Sequence, residues 1–322
     1  MSFHKEESLL KEKYNIHPIS KLSLLHTGEN QIMIVKGKKR AGRQIESNTY
    51  ILKKYRVQRF DLLQIKAEIE WLLSLKPYLF ISTPLKTADN EYVSMVVDAS
   101  STYYYVLFEY ITGEHIENPT DEDYYKLGNK LSILHKKSLQ ITENRAKDWL
   151  GFNRPTYSKT SIITEATESL LKASFLTIED KTRWEDLANR LTNLPTPFTT
   201  KEKSFVHGDV HFGNILQTIT TEWCLLDFDE CGFSHYSFDT GVPRLHLISS
   251  NQLQECWRSF IAGYNMPLEE AEIRMGTALR ILYMAGKIPK RLDIEHLRTN
   301  PAKRIQKYFK YIEDEIDGVT YF

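Results

Sequence analysis

"HGDVHFGNILQTITTEWCLLDFDE", residues 207–230, decides how this chain is read. Histidines, an aspartate and an asparagine crowd its start. Two apolar runs, "ILQTI" and "WCLLDF", then flank the polar "TTE". That pattern predicts a short antiparallel hairpin turning near Thr220 and Thr221, although no Asn-Gly or Asp-Gly marks the turn. In this register Asn214 and Asp227 stand opposite one another, and antiparallel partners sit about 5 Å apart. An amide oxygen and a carboxylate would meet at one point, with Asp229 two residues on and facing the same side.

His207, Asp209 and His211 fall at every second residue, which on an extended strand would point all three one way. One reading is therefore a metal-dependent hydrolase built on His207, Asp209 and His211. Zinc sites need three or four ligands, and His235, His246 and His296 are scattered without ligand spacing. That reading also leaves Asn214 and "DFDE" without a role. The oxygen ligands Asn214 and Asp227 suit a hard cation such as Mg²⁺. Asp209 is then left to accept a proton. This is the division of labour in phosphoryl transfer, where one Asp takes the substrate hydroxyl proton while an Asn and a second Asp hold the metal.

Phosphoryl transfer also needs a cation for the nucleotide phosphates, oriented by a carboxylate. Lys53 and Glu68 come earlier in the expected order. "TYILKKYR" (49–56) predicts a strand, on which only one of Lys53 and Lys54 faces inward; alternation does not say which. "DLLQIKAEIEWLLSLK" (61–76) predicts a helix with Leu62, Ile65, Ile69, Leu72 and Leu73 on one face. Glu68 lies at the border of that stripe, and Glu70 lies nearly opposite, toward water.

The rest of the chain organises around these points. "KLSLLHTGENQIMIVKGKK" (21–39) alternates as strands, and "GKKRAGRQIESN" (37–48) reads as a polar hairpin connection. "STPLKTADNEYVSMVV" (82–97) and "STYYYVLFEYITG" (101–113) follow as strands, the second apolar enough to be central. After Gly113 the pattern turns helical. Thr120, with Asp123 three residues on, caps a helix whose apolar face carries Tyr124, Leu127, Leu131 and Leu134. Further helical segments cover about 160–195 and 245–318. The expected organisation is a strand-rich lobe over 1–112 and a larger helical lobe over 113–322.

Bulk properties agree with a globular chain. Its 322 residues are 41% hydrophobic and 26% charged, with 42 basic and 42 acidic side chains. Such a balance gives no general attraction to nucleic acid or to an anionic membrane. The opening "MSFHKEESLLKEKYN" has no apolar stretch of signal-peptide length, and no run reaches a membrane span. Three cysteines without a CxxC pair fit reduced thiols in the cytoplasm.

"HGDVHFGNIL" followed by "LLDFDECGFSHYSFD" resembles the aminoglycoside phosphotransferase and choline kinase superfamily, whose fold is similar to that of protein kinases. The family pattern is HGDxxxxN and then a D-F-[DE] segment. The likeness extends to "YILKKYR", "EIEWLL", "FEYITGE" and "FIAGYN", and is loose between 140 and 200. It implies an α+β, two-lobed protein-kinase-like fold and transfer of the γ-phosphate of ATP, with GTP as an alternative. The acceptor would be a hydroxyl of a small molecule, aminoglycoside-, choline- or homoserine-like; a protein Ser/Thr kinase and a non-enzymatic binding module share the fold.

By the same resemblance Asp209 is the catalytic base, and Asn214 and Asp227 are the Mg²⁺ ligands. Lys53 contacts the α/β-phosphates and pairs with Glu68, and backbone groups from Glu109 to Ile111 hold the adenine. Asp239 braces the catalytic loop, Asn30 matches a frequent family asparagine, and Asp229 is either a second metal ligand or a hydrogen-bond acceptor. "DTG" (239–241) departs from the usual D-L-A, and "TGENQIM" lacks a glycine-rich run. His207 reads as a loop-bracing core residue, His211 as a neighbour of the substrate, and Cys231 and Tyr264 as packing residues. The acidic "YIEDEID" (311–317) reads as a solvated helix face, with attraction of a cationic substrate as the sharper alternative.

Overall fold

The charged opening of the chain folds as a helix, which its composition did not announce. In α1 (His4–Tyr14) Leu9, Leu10 and Tyr14 share one buried side, and Asn15 ends the helix in the left-handed conformation (φ 57°). The computed structural model describes residues 3–28, 30–41, 44–57, 59–98, 101–144, 153–195 and 203–318.

Strands β1 (Ile16–Thr27), β2 (Gln31–Ala41) and β3 (Gln44–Lys54) run antiparallel in succession. Ala41 pairs with Gln44, so the stretch 37–48 is ribbon on both sides of its tip and not the expected connection; Gly42 and Arg43 lie outside the described residues. Strand pairing satisfies the backbone there whatever the polarity of the side chains. Helix α2 (Leu62–Leu75) opens on a reciprocal cap: Asp61 accepts from the Gln64 amide at 2.8 Å, and the Gln64 side chain accepts from the Asp61 amide at 3.1 Å.

"STPLKTADNEYVSMVV" is two short strands, β4 (Pro84–Leu85) and β5 (Ser94–Asp98), parted by a turn with Asn90 at φ 66°. β6 (Ser101–Glu109) is central, bonded to β3, β4 and β5, and it stops at Glu109, short of Gly113. One face of the sheet buries Met33, Val35, Leu52, Tyr105 and Leu107 against Leu10 and Tyr14 of α1.

The helical part begins with α3 (Asp121–Glu143), capped by Thr120 and Asp123 as predicted. It continues through α4 (Lys159–Lys172), α5 (Ile178–Asn193) and β7 (Lys203–Val206). A 3₁₀ turn (Phe212–Asn214), β8 (Ile215–Gln217), β9 (Trp223–Leu225) and β10 (Gly232–His235) follow. Then come α6 (Tyr236–Ser250), α7 (Leu253–Gly263), α8 (Glu270–Lys287), α9 (Glu295–Arg298) and α10 (Pro301–Ile316).

The chain divides into two units. One comprises Met1–Glu114, Lys147–Arg154 and Ile215–Leu226, and the other His115–Ala146, Pro155–Asn214 and Asp227–Phe322. The core of the second gathers α4, α5, α8 and α10, with Trp184 stacked on Phe309 at 5.8 Å. The acids of "YIEDEID" are only in part a solvated face: Asp317 is exposed, Glu313 and Asp314 are half-buried, and Glu315 is buried. Glu313 takes a two-bond contact from Arg183 (2.8 and 2.6 Å), Asp317 pairs with Arg190, and buried Glu315 pairs with Arg244 at 3.1 Å. Among the described residues no helix is long and apolar enough to cross a membrane.

Candidate active site

In the strand-rich unit, alternation sends Lys53 and Lys54 to opposite faces of β3. Lys54 turns toward α1, 3.1 Å from Glu6 and 4.5 Å from the Tyr103 ring centroid. Lys53 turns the other way and lies 2.9 Å from Oε1 of Glu68 on α2, with both side chains buried. Tyr55 donates to the same oxygen at 3.1 Å, and Arg154 stands 4.0 Å from Oε2. Removing two charges from water is costly, and only extra bonds of this kind make such a pair tolerable. Glu70 is half-buried, short of the full exposure that helix phase predicted.

Asn30 is buried and accepts the Arg56 amide at 2.9 Å, which ties the β1–β2 turn to the end of β3. Glu109 donates its amide to Thr83 O and accepts Ser82 Oγ at its carbonyl, so its backbone is engaged within the sheet. Ile111 lies beyond the strand, and its backbone makes no hydrogen bond among the described residues.

In the helical unit, β7 pairs with β10 and delivers residues 207–211 as a loop. Asp239, in the first turn of α6, clamps this loop. One carboxylate oxygen accepts the His207 amide at 2.8 Å and the other accepts the Gly208 amide at 2.6 Å. His135 Nε2 lies 3.0 Å from Asp239, and its Nδ1 lies 2.7 Å from the Tyr264 hydroxyl. With Asp239 as acceptor, the ring proton belongs on Nε2 and Nδ1 accepts from Tyr264. Tyr264 therefore bonds as well as packs. Burial pushes the Asp239 carboxyl up, but the His135 bond and the His207 amide outweigh it and hold its pKa below the usual range.

Gly208 adopts φ 85°, and a Cβ there would sit 2.4 Å from the Glu230 carbonyl oxygen. That explains the glycine of HGD. Asp209 Oδ1 contacts Arg280 Nη2 at 2.5 Å, and Oδ2 lies 3.7 Å from His211 Nε2. Asn214 donates Nδ2 to the Asp209 carbonyl at 2.9 Å and its carboxylate at 3.4 Å. Burial would raise the Asp209 pKa; Arg280 chiefly, then His211 and His207, outweigh it and hold the carboxyl well below the usual range.

His207 is buried, its Nδ1 accepting the Asp209 amide at 3.3 Å and its ring 4.3 Å from Phe228. Among the described residues no group of three or more His, Cys, Asp or Glu is arranged to hold a metal, so His207, Asp209 and His211 do not form the ligand set that the hydrolase reading requires.

The hairpin after Asn214 forms, but one residue out of the expected register. Ile215 pairs with Leu225 and Gln217 with Trp223, and Asn214, in the 3₁₀ turn, lies outside the ladder. Thr221 is left-handed at φ 62° and donates to Thr218 O, making a three-residue loop where two residues were expected. Asp227 follows, exposed and itself left-handed at φ 56°, so Asp229 does not continue its side. Asp229 is buried. Asn214 Oδ1 makes no hydrogen bond among the described residues.

Residues 38–273 match the model of the phosphotransferase enzyme family. The chain belongs to that family. An uncharacterised protein of Synechocystis sp. is 24% identical over 212 residues, a match that spans 62% of this chain and 56% of the relative. The match thus spans little more than half the length of that curated relative. An amicoumacin kinase solved with AMP-PNP, Ca²⁺ and amicoumacin has the same fold: TM-score 0.75, 18% identity, covering 100% of this chain and 95% of that one. A microcompartment-associated aminopropanol kinase gives 0.73 and 19% over 98% of both chains. The protein-kinase-like α+β fold is therefore that of this phosphotransferase-family chain.

Sequence reasoning missed Arg154, His135, Arg280 and Glu230. Nothing local marks the first two. The spacing of Arg280, Tyr283 and Lys287 puts them on one helix face but does not name Asp209 or Glu230 as what that face meets. His211 stacks on His246 with ring centroids 5.0 Å apart. Both line a cavity of about 340 Å³ with Tyr124, Phe212 and Glu117.

Proposed function

We propose that this chain is an ATP-dependent kinase that transfers the γ-phosphate to a hydroxyl group of a small molecule. One observation carries the reading: Asp209, paired with Arg280, held on a loop whose backbone is clamped by Asp239, next to an asparagine with an unengaged oxygen. Asp209 accepts the acceptor hydroxyl proton. Lys53, held by Glu68, neutralises nucleotide phosphate charge, and the backbone at Ile111 is better placed than the engaged Glu109 to meet the adenine. Asn214 Oδ1 and the Asp227 carboxylate would hold Mg²⁺, a hard cation that such oxygen donors suit. When bound, the ion neutralises charge on the phosphates. The protein contributes position and charge, which are the main terms in phosphoryl transfer.

The acceptor cavity at His211 suits a compact compound, and an amino alcohol of the choline or homoserine kind, or part of an aminoglycoside, is the proposed class. The amicoumacin kinase of similar fold, solved with AMP-PNP, supports ATP as donor. Work in a reducing compartment such as the cytoplasm belongs to the same reading, with Cys224, Cys231 and Cys256 as buried free thiols. The test is ³¹P NMR of Mg²⁺-ATP turnover over 1-amino-2-propanol, choline, homoserine, spectinomycin and kanamycin, with calorimetry of ATP and GTP. Absence of nucleotide binding refutes the reading. Turnover that survives Asp209→Asn refutes the base, and phosphate appearing only on protein marks a protein kinase.

A further inference from the structure

One face of α8 touches both halves of the catalytic sequence. We propose that this face sets their geometry, and that Arg280 is the positioning residue that orients Asp209. The role rests on the reading of Asp209 as the base.

Arg280, Tyr283 and Lys287 lie three and four residues apart, on one side of the helix. Arg280 bonds Asp209 Oδ1 at 2.5 Å. Tyr283 donates to one carboxylate oxygen of Glu230, and Lys287 donates to the other at 2.5 Å. Glu230 closes the "DFDE" segment. Its carbonyl accepts the Tyr157 hydroxyl at 2.8 Å, and this is the atom against which Gly208 fits. The two segments therefore meet at Glu230, and α8 grips both. The helix is itself fixed to α6, the helix that carries Asp239. A Cβ on Gly276 would stand 2.4 Å from Ser237 O, and one on Gly241 would stand 2.9 Å from Thr277 Cα.

The state of Arg280 argues for function over packing. The residue is 2% exposed. Its Nε and Nη1 are buried and have no hydrogen-bond partner among the described residues. The guanidinium lies 5.7 Å from the Phe238 centroid and 5.4 Å from that of Tyr283. Burying unpaired N–H groups is unfavourable, and an apolar side chain of similar volume would fill this aromatic site at least as well. What methionine could not supply is the bond to Asp209. That bond fixes Oδ1 and leaves Oδ2, which takes only a long 3.4 Å bond from Asn214 and lies on the side of His211, as the atom for the acceptor hydroxyl. His211 also walls the cavity of about 340 Å³, so the acceptor approaches from there.

The experiment compares wild type, Arg280→Met, Arg280→Lys and Asp209→Asn. It measures Mg²⁺-ATP turnover with the best acceptor of the panel above, or with water as acceptor where none is used, together with thermal melting. Misplacing the base by about 1 Å costs roughly 100-fold, so Arg280→Met should lose about that in kcat, with both KM values within about threefold of wild type. Arg280→Lys, which can reach with one nitrogen, should recover about tenfold. Should the methionine variant fail to fold, the lysine variant carries the test through its loss of kcat at unchanged KM. Retention of wild-type kcat in Arg280→Met, or a loss no larger than the loss of folded protein, overturns the positioning role. Turnover surviving Asp209→Asn refutes instead the base assignment beneath it.

Discussion

Replacing Gly208 with alanine tests whether the loop is held by conformation, by contact, or by both. At φ 85° an L-residue is disfavoured by about 1–2 kcal/mol. The new Cβ would also stand 2.4 Å from Glu230 O and 2.8 Å from Glu230 Cβ. The first is a backbone atom, pinned by Tyr157 and unable to swing aside as a side-chain end would. Overpacking of this kind costs about 1–3 kcal/mol more. The total, roughly 2–5 kcal/mol, is a large part of the 5–15 kcal/mol that holds a typical domain.

Gly318 supplies the control. It is also left-handed, at φ 71°, but a Cβ there meets nothing within 4 Å. Gly318→Ala therefore carries the conformational cost alone. The difference between the two variants isolates the contact, and at about 2–4 °C per kcal/mol it should appear as roughly 2–12 °C in melting temperature. Calorimetry or circular dichroism reads it directly. Equal melting temperatures for the two variants would refute the claim that the loop is packed onto Glu230.

Four further outcomes follow from the site and its surroundings. Lys53→Met should abolish ATP-dependent turnover and weaken ATP binding in calorimetry. Lys54→Met should keep turnover and lose about 1–3 kcal/mol of stability by leaving Glu6 buried with less support, which denaturant melts would show. Asp239 has a folded pKa below its unfolded value, so its stabilisation is fully present above about pH 4 and is lost as pH falls through the folded pKa. The melting-temperature gap between wild type and Asp239→Asn should therefore be widest near neutrality and shrink below about pH 4. Asn214→Ala should raise the Mg²⁺ concentration needed for half-maximal turnover, with protein stability changed by less than about 1 kcal/mol.

Much of this fold is written locally. Thr120 caps a helix through a group three residues away, and that capping box was legible without any tertiary knowledge. Helix phase placed Glu68 at an inward border, and strand alternation placed Lys53 and Lys54 on opposite faces. Helix phase and alternation act over a few residues, but they cannot say which face meets what. The partner of Lys54 sits on a helix that composition alone did not reveal, and the partner of Lys53 sits on α2, after β3 has ended. The face was chosen when α1 and α2 packed.

The hairpin makes the same point at finer scale. Its existence followed from two apolar runs around a polar center, and its register followed from a single left-handed Thr221 that lengthened the loop by one residue. Arg280 lies 71 residues from Asp209, and no periodicity spans that distance. Composition, spacing and caps pointed to a strand-rich part, a helical part and a set of candidate residues because these depend on short-range geometry, while the kinase-like fold rested on the family resemblance. Which lysine is buried with a carboxylate and which cation contacts Asp209 depend on contacts between distant elements, and only packing decides those.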